Sequence, residues 1–297
     1  MNRELRGIWA PMPTPLTRKG EVDVESLRVL VNHLITGGID GLFPLGTAGE
    51  FALLSPDERR LVTDTVVDAA NGRVPVFAGV SDPSTENIIA FAKQAIDVGV
   101  DGIIATPPYY YTTSEDALYR HFRLLHSKLP VPIVVYNIPS FTHIFIPVRV
   151  VSRLAEEGCI AGMKYTEYNL YNLITFISET RKKIAIFTGS DAMAYSCLDF
   201  GGSGAIIGVS NVAPKMAAGI YDYFVSGRKD RAREMQIKLM PAISAIGMGE
   251  FPAGLKEAVS YAGMNVGKPK EPIPDVTPEQ RREIHALLNR AGIRRHR

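Results

Sequence analysis

Lys164 stands inside the run IAGMKYT that begins at Ile160, where every neighbour suits a buried β-strand. A lysine in such a place has three fates: it pairs with an acid, it snorkels to the surface, or it faces a cavity as a nucleophilic amine. In the third case it can condense with a carbonyl to give a Schiff base. Hydroxyl-bearing residues stand at matching points of other apolar runs. Tyr136 closes PIVVY, Tyr109, Tyr110 and Tyr111 follow Thr106-Pro107-Pro108, and Thr47 lies in Gly46-Thr47-Ala48-Gly49-Glu50. A phenol beside an amine can move protons on and off a carbinolamine, and a turn of small residues can present backbone N–H groups to a carboxylate. Taken singly, each tyrosine also fits as an amphipathic packing residue. Taken together, an amine, hydroxyls and an anion nest on four strand ends point to proton-coupled chemistry on a small α-keto acid.

Such a set has to be gathered by a scaffold. Short apolar, β-branched runs recur at roughly 20–30 residues, alternating with amphipathic helical stretches, which is the signature of successive βα units. There are eight: IWAPMPTP from Ile8, GLFPLG from Gly41, VPVFAGVS from Val74, DGIIATPP from Asp101, PIVVYNIP from Pro132, IAGMKYT from Ile160, IAIFTGSD from Ile184 and GAIIGVSN from Gly204. Each reads as a strand buried on both faces. Helix starts are marked at Ser55-Pro56-Asp57-Glu58 and Ser114-Glu115-Asp116, and helix ends at Gly37-Gly38, Gly99, Gly158 and Gly201-Gly202. The first βα turn reads PMPTPLTRKG instead of a glycine-rich phosphate loop, which argues against an open doubly wound sheet. The expected fold is an α/β (β/α)8 TIM barrel over residues 1–226. Three helices, from RKDRAREMQIKLMPAISAIG, PAGLKEAVSYAG and TPEQRREIHALLNRAG, make a C-terminal helical region over 227–297. In such barrels, residues at the C-terminal ends of the strands assemble the chemistry, which is where Lys164 and its companions fall.

Composition agrees with this reading and removes several function classes. A chain of 297 residues with 46% hydrophobic residues can bury a barrel-sized core. A net charge of +2 is too small for a nucleic-acid binder, and the basic cluster at Arg290 and Arg294–Arg297 reads as a solvated tail. No run approaches the ~18 apolar residues of a spanning helix, and MNRELRGIWAP lacks the apolar stretch of a leader, so a soluble cytoplasmic protein without membrane contact is expected. Cys159 and Cys197 follow no metal or redox spacing and read as buried structural thiols. The histidines, among them His121, His126 and His143, form no ligand pair, so neither a metal nor another cofactor is expected.

In combination and order, GTAGE from Gly46, TPPYY from Thr106, YNIPSFT from Tyr136, GMKYT from Gly162, GSD from Gly189 and GAIIGVSN from Gly204 resemble one superfamily over nearly the full length. It is the pyruvate-dependent class I aldolase superfamily, which includes dihydrodipicolinate synthase, N-acetylneuraminate lyase and 2-keto-3-deoxygluconate aldolase. The resemblance implies that Lys164 is the Schiff-base lysine and Tyr136 the proton-relaying phenol above it. It implies that Thr47 and the backbone of Ala48 hold the keto-acid carboxylate, with Thr47 linking Tyr136 to Tyr110, and that Ile206 presents its backbone near the bound keto acid. It further implies that Tyr110 reaches into a neighbouring subunit's site, so a homodimer or homotetramer is expected.

Departures from the family pattern bear on the substrate. Dihydrodipicolinate synthases carry an arginine at the position of Phe141, where it grips the second substrate's carboxylate; phenylalanine offers neither charge nor donor. Ala48 replaces a second threonine. YNIP with a following aromatic, GLFPLG and GEFPAGLKEA look closer to 2-keto-3-deoxy sugar acid aldolases, in which Ser190 and Asp191 would hydrogen-bond a polyol aldehyde. The expected activity is cleavage or formation of a 2-keto-3-deoxy sugar acid, with pyruvate and an aldehyde as the small-molecule partners. The alternatives are 4-hydroxy-tetrahydrodipicolinate synthase, N-acetylneuraminate lyase, a hydratase or dehydratase sharing the imine and, from a different class, a non-catalytic keto-acid-binding protein.

Overall fold

The strands are β1 (Gly7–Pro11), β2 (Gly41–Phe43), β3 (Phe77–Gly79), β4 (Gly102–Ala105), β5 (Ile133–Asn137), β6 (Gly162–Tyr165), β7 (Ala185–Thr188) and β8 (Gly204–Ile206). The computed structural model describes residues 4–180 and 183–294; residues 295–297 of the basic C-terminal cluster lie outside the described residues. The strands pair in parallel in the order β2-β1-β8-β7-β6-β5-β4-β3. A parallel bridge between Leu42 and Val76, flanked by Leu42 N–H donating to Pro75 O at 2.9 Å, joins β2 to β3 and closes the ring. The fold is a (β/α)8 TIM barrel followed by C-terminal helices, as the recurring βα pattern predicts.

Strand geometry sends alternate side chains to opposite faces, and the barrel's contents follow from that alternation. Trp9, Phe43, Phe77, Ile104, Val134, Tyr136, Phe187 and Ile206 point inward and pack as one cluster. Met163 and Tyr165 of β6 point outward into the layer between strands and helices, so Lys164 between them points in. The interior is filled by aromatics below the site: Trp9 meets Phe77 edge-on with ring centroids 5.1 Å apart, and its Nε1 donates to Arg6 O at 2.9 Å. This floor gives the inward residues of the strand C-termini a rigid base.

Local signals place the helices. Ser55 caps the helix Pro56–Ala70 with a reciprocal capping box to Glu58, and Ser114 caps Glu115–Lys128 through the N–H of Ala117. Beyond the eighth barrel helix, Pro214–Val225, come the helices Lys229–Ile246, Ala253–Tyr261 and Pro278–Arg290. Leu239, Ala245, Leu255 and Ile284 of these helices belong to the same apolar cluster as Ile8, Leu42 and Ala205 of the barrel strands. The C-terminal helices therefore share the barrel's core, and Ile243 and Ile246 reach the C-terminal ends of its strands. Among the described residues no helix is long and apolar enough to cross a membrane.

At the opposite end of the barrel, Asp40 accepts the Ile8 N–H at 2.7 Å, and burial raises its carboxyl from 3.8 to about 6. Asp222 adds to that rise, while the Ile8 hydrogen bond and Arg6 oppose it. A carboxyl with a raised folded-state pKa binds its proton more tightly folded than unfolded. Stability is therefore full below the unfolded value and falls as pH rises through the window from 3.8 to about 6. Asp40→Asn keeps an acceptor for Ile8 and removes the buried charge. Because Asp40 is only partly buried, we expect a gain of about 1 kcal/mol near pH 7.5 and none near pH 4. Thermal unfolding at the two pH values checks this, and an equal shift at both would refute the assignment.

Candidate active site

Lys164 is 3% exposed and lies in β6, in direct register with Tyr136 of β5 on one side and Phe187 of β7 on the other. Its Nζ lies 4.2 Å from the Tyr136 ring centroid and 5.0 Å from that of Phe43. Among the described residues, Lys164 Nζ makes no hydrogen bond or ion pair; it is an amine resting on ring faces at the edge of a cavity. Among the described residues the other lysine of comparable burial, Lys256, is paired with Glu50. Of the placements open to a strand lysine, Lys164 takes the one that faces a cavity rather than an ion pair or the surface.

The cavity has a volume of about 520 Å³ and opens at the C-terminal end of the barrel. Lys164, Tyr136, Thr47, Ala48, Ile206, Ser190, Asp191 and Phe141 all line it, so eight of the nine residues singled out from sequence come together. Tyr136 OH lies 3.3 Å from Thr47 Oγ1, either being able to donate. Tyr136 is positioned by its place in β5 and by an edge-on contact with Phe43 at 5.8 Å. Thr47 and Ala48 sit in the short 3-10 turn Thr47–Gly49. Gly189 explains the GSD segment: a Cβ there would lie 1.9 Å from Thr166 Oγ1 and 2.8 Å from Lys164 Cε, so only glycine leaves the lysine its space.

Tyr110 is the ninth, and this chain does not bring it in. It is 84% exposed, has φ of +86° and meets its neighbour Tyr111 ring to ring, at 5.0 Å. Tyr109, not Tyr110, turns back toward the barrel and meets Phe51 edge-on at 6.4 Å.

The polar wall is partly committed. Ser190 Oγ donates to Glu167 O at 2.7 Å, leaving its oxygen able to accept. Asp191 Oδ1 accepts the Val209 N–H at 2.6 Å. Burial raises the Asp191 carboxyl above its ordinary range, while hydrogen bonds from the Val209 and Gly208 backbone and the charge of Lys164 pull it down. The opposite wall is apolar. Phe141, on the short helix Pro139–Thr142, faces Phe251 with centroids 6.1 Å apart, and Ile243 and Ile246 of the helix Lys229–Ile246 continue the surface. Lys164 is the one cation among the described residues that line the cavity, against the acids Glu167 and Asp191.

Sequence reasoning missed Thr166, Phe251, Ile243 and Ile246. Thr166 was accessible: two residues beyond Lys164, strand alternation aims it at the same cavity. Phe251 lay in the GEFPAGLKEA segment, whose path over the barrel mouth depends on how the C-terminal helices pack.

With this geometry in place, comparison with known proteins decides the family. The dihydrodipicolinate synthetase family model matches residues 4–291. The chain belongs to that family. Its members are class I lyases that act on pyruvate and an aldehyde. A 4-hydroxy-tetrahydrodipicolinate synthase of Methanococcus maripaludis is 32% identical over 290 residues, covering 97% of this chain and 99% of that protein. A DapA-like lyase of Halobacterium salinarum is 32% identical over 289 residues, covering 97% of this chain and 95% of that one. Among solved structures, a dihydrodipicolinate synthase superposes with a TM-score of 0.93 at 32% identity, covering 97% of this chain and all of the other. YagE, a prophage protein of the same family from E. coli K12 determined in complex with pyruvate, gives a TM-score of 0.94 at 27% identity, with 97% and 99% coverage.

Proposed function

We propose that this family member uses Lys164 to cleave, or in reverse to form, a 2-keto-3-deoxy sugar acid, giving pyruvate and an aldehyde. The observation that carries the reading is the unpaired, buried amine of Lys164 in register with Tyr136, whose hydroxyl meets Thr47. The Lys164 amine adds to the C2 ketone, and water leaves to give a protonated imine. Tyr136, left as phenolate after giving its proton to the departing hydroxyl of the carbinolamine, takes the proton of the C4 hydroxyl, the C3–C4 bond breaks, and its electron pair moves toward the imine nitrogen. The aldehyde departs, the enamine takes a proton at C3, and water releases pyruvate from Lys164. Thr47 and Ala48 hold the carboxylate during these steps, and Ser190, Asp191 and the Ile206 backbone border the remainder of the substrate.

Phe141 and the charge inventory favour a sugar acid. A second substrate bearing a carboxylate would meet Glu167 and Asp191 with no cation beyond Lys164, and burying an unpaired anion is costly. A sugar chain can lay its C–H face on Phe141 and Phe251 and turn its hydroxyls toward Ser190 and Thr166. The second reading, 4-hydroxy-tetrahydrodipicolinate synthase, is supported by the names of relatives at 32% identity. Tyr110 can complete the relay only from a neighbouring protomer, so the working form is a homodimer or homotetramer. The two buried free thiols, Cys159 and Cys197, suit a reducing cytoplasm.

A pyruvate-release assay across 2-keto-3-deoxy acids and sialic acid, beside condensation of pyruvate with a carboxylate-bearing semialdehyde, separates these readings. We expect kcat/KM for a 2-keto-3-deoxy sugar acid to exceed that for the semialdehyde by about 100-fold, the scale of one lost charge-assisted contact. The reverse order would establish the synthase. Silence on every substrate, despite imine formation, would favour a keto-acid-binding protein.

A further inference from the structure

The catalytic reading leaves one buried charged pair unused. Glu50, the last residue of GTAGE, is 4% exposed and adopts φ of +57°, the left-handed region in which a side chain other than that of glycine or asparagine is strained. It closes the Thr47–Gly49 turn, with Glu50 N–H donating to Thr47 O at 3.1 Å. Lys256, 1% exposed on the helix Ala253–Tyr261, places its Nζ 2.5 Å from Glu50 Oε1 and donates to Lys268 O at 2.9 Å. The Lys270 N–H donates to Glu50 Oε2 at 2.5 Å. Lys270 Nζ in turn donates to Gly20 O at 3.2 Å and pairs with Glu58, the capping-box residue of the helix after the turn. Thr14 Oγ1 holds the turn from the barrel side, donating to Gly49 O at 2.7 Å.

These bonds converge on a segment of only a few residues, and it is the one that carries Thr47 and Ala48 into the cavity. A general clamp between the C-terminal helices and the barrel needs no charge, because the two already share an apolar core. A buried ion pair adds directionality: it fixes the rotation of the turn, which apolar contacts leave loose. Burial pushes the Lys256 ammonium below its ordinary value, and the Glu50 carboxylate pulls it back.

We propose that Glu50 and Lys256 are positioning residues for the keto-acid carboxylate: locked together, they set the orientation of Thr47 and the Ala48 N–H toward Lys164. This rests on the reading that Thr47 and Ala48 bind that carboxylate.

The test uses the full-length Glu50→Gln/Lys256→Met double variant, which leaves no lone buried charge, and measures borohydride trapping at Lys164 against pyruvate concentration. We expect half-saturating pyruvate to rise about 10-fold or more, while trapping with hydroxyacetone, a ketone without a carboxylate, stays within about 2-fold of the parent. A pyruvate response unchanged from the parent overturns the proposal, as does an equal loss with both ketones, which marks a merely structural pair. Where the double variant does not fold, Glu50→Asp, which withdraws the carboxylate by one methylene and keeps its charge, is read in the same two titrations with the same criteria. If the parent itself traps no pyruvate at Lys164, it is the underlying reading that fails.

Discussion

Lys164→Ala protein will fold like the parent yet lose pyruvate release by about 10⁴-fold or more, equivalent to at least ~5 kcal/mol of transition-state stabilisation. The loss is total in kind, because among the described residues no other amine lines the cavity, and Lys256, the other deeply buried lysine among them, is held by Glu50 and the Lys268 carbonyl. Folding should survive because Lys164 makes no hydrogen bond or ion pair among the described residues, and its removal enlarges a cavity of about 520 Å³ that already exists. Two measurements check this. In the parent, borohydride with pyruvate should add a reduced pyruvyl group to the peptide containing Lys164, and in the variant no lysine should carry it. A stable, active Lys164→Ala protein, or an adduct that persists in it, would show that the imine forms elsewhere or not at all. The change also has an electrostatic side effect with a fixed sign: Lys164 lowers the Asp191 carboxyl, so its loss raises that group further.

Why Lys164 was legible in the sequence and Phe251 was not has a physical cause. Parallel strands buried on both faces read as apolar runs, so a single cation within one, at Lys164, stands out from its neighbours. Tyr136 and Thr47 were legible only in combination with Lys164 and through the motifs YNIPSFT and GTAGE that follow apolar runs. The barrel itself followed from the beat of those runs and from caps such as Ser55 and Ser114, which are local properties of the chain. The apolar wall of the cavity is not local. Ile243, Ile246 and Phe251 come from helices whose amphipathic pattern says only that one face is buried; where that face docks is set by the shared core with β1, β2 and β8. The Glu50–Lys256 pair joins residues about two hundred positions apart, and nothing in GTAGE announces which lysine will meet its carboxylate. Tyr110 marks the other limit: its motif was recognisable, but its positive φ and exposure keep it out of this chain's cavity.

Tyr136→Phe should lower kcat for aldol cleavage by about 10²–10³-fold while leaving the KM for the keto acid within a few-fold, because it removes a proton carrier and little else. The ring remains edge-on to Phe43 and beneath Lys164, 4.2 Å from centroid to Nζ, so the lysine keeps its support. Among the described residues the protein hydrogen bond lost is that to Thr47 Oγ1, worth about 1 kcal/mol, and Thr47 is only half-buried, so stability should fall little. Trapping of pyruvate at Lys164 should still occur, at a reduced rate, since carbinolamine dehydration also needs a proton delivered. Thr47→Val offers the control: it cuts the relay one bond further out and removes a carboxylate donor, so it should raise KM together with a smaller loss in kcat. A Tyr136→Phe enzyme that retains kcat within about 3-fold would assign the proton to another group. Ser190 and Asp191 are then candidates, being polar side chains beyond β7 that line the same cavity, and Asp191, with its carboxyl raised by burial, would be the stronger of the two.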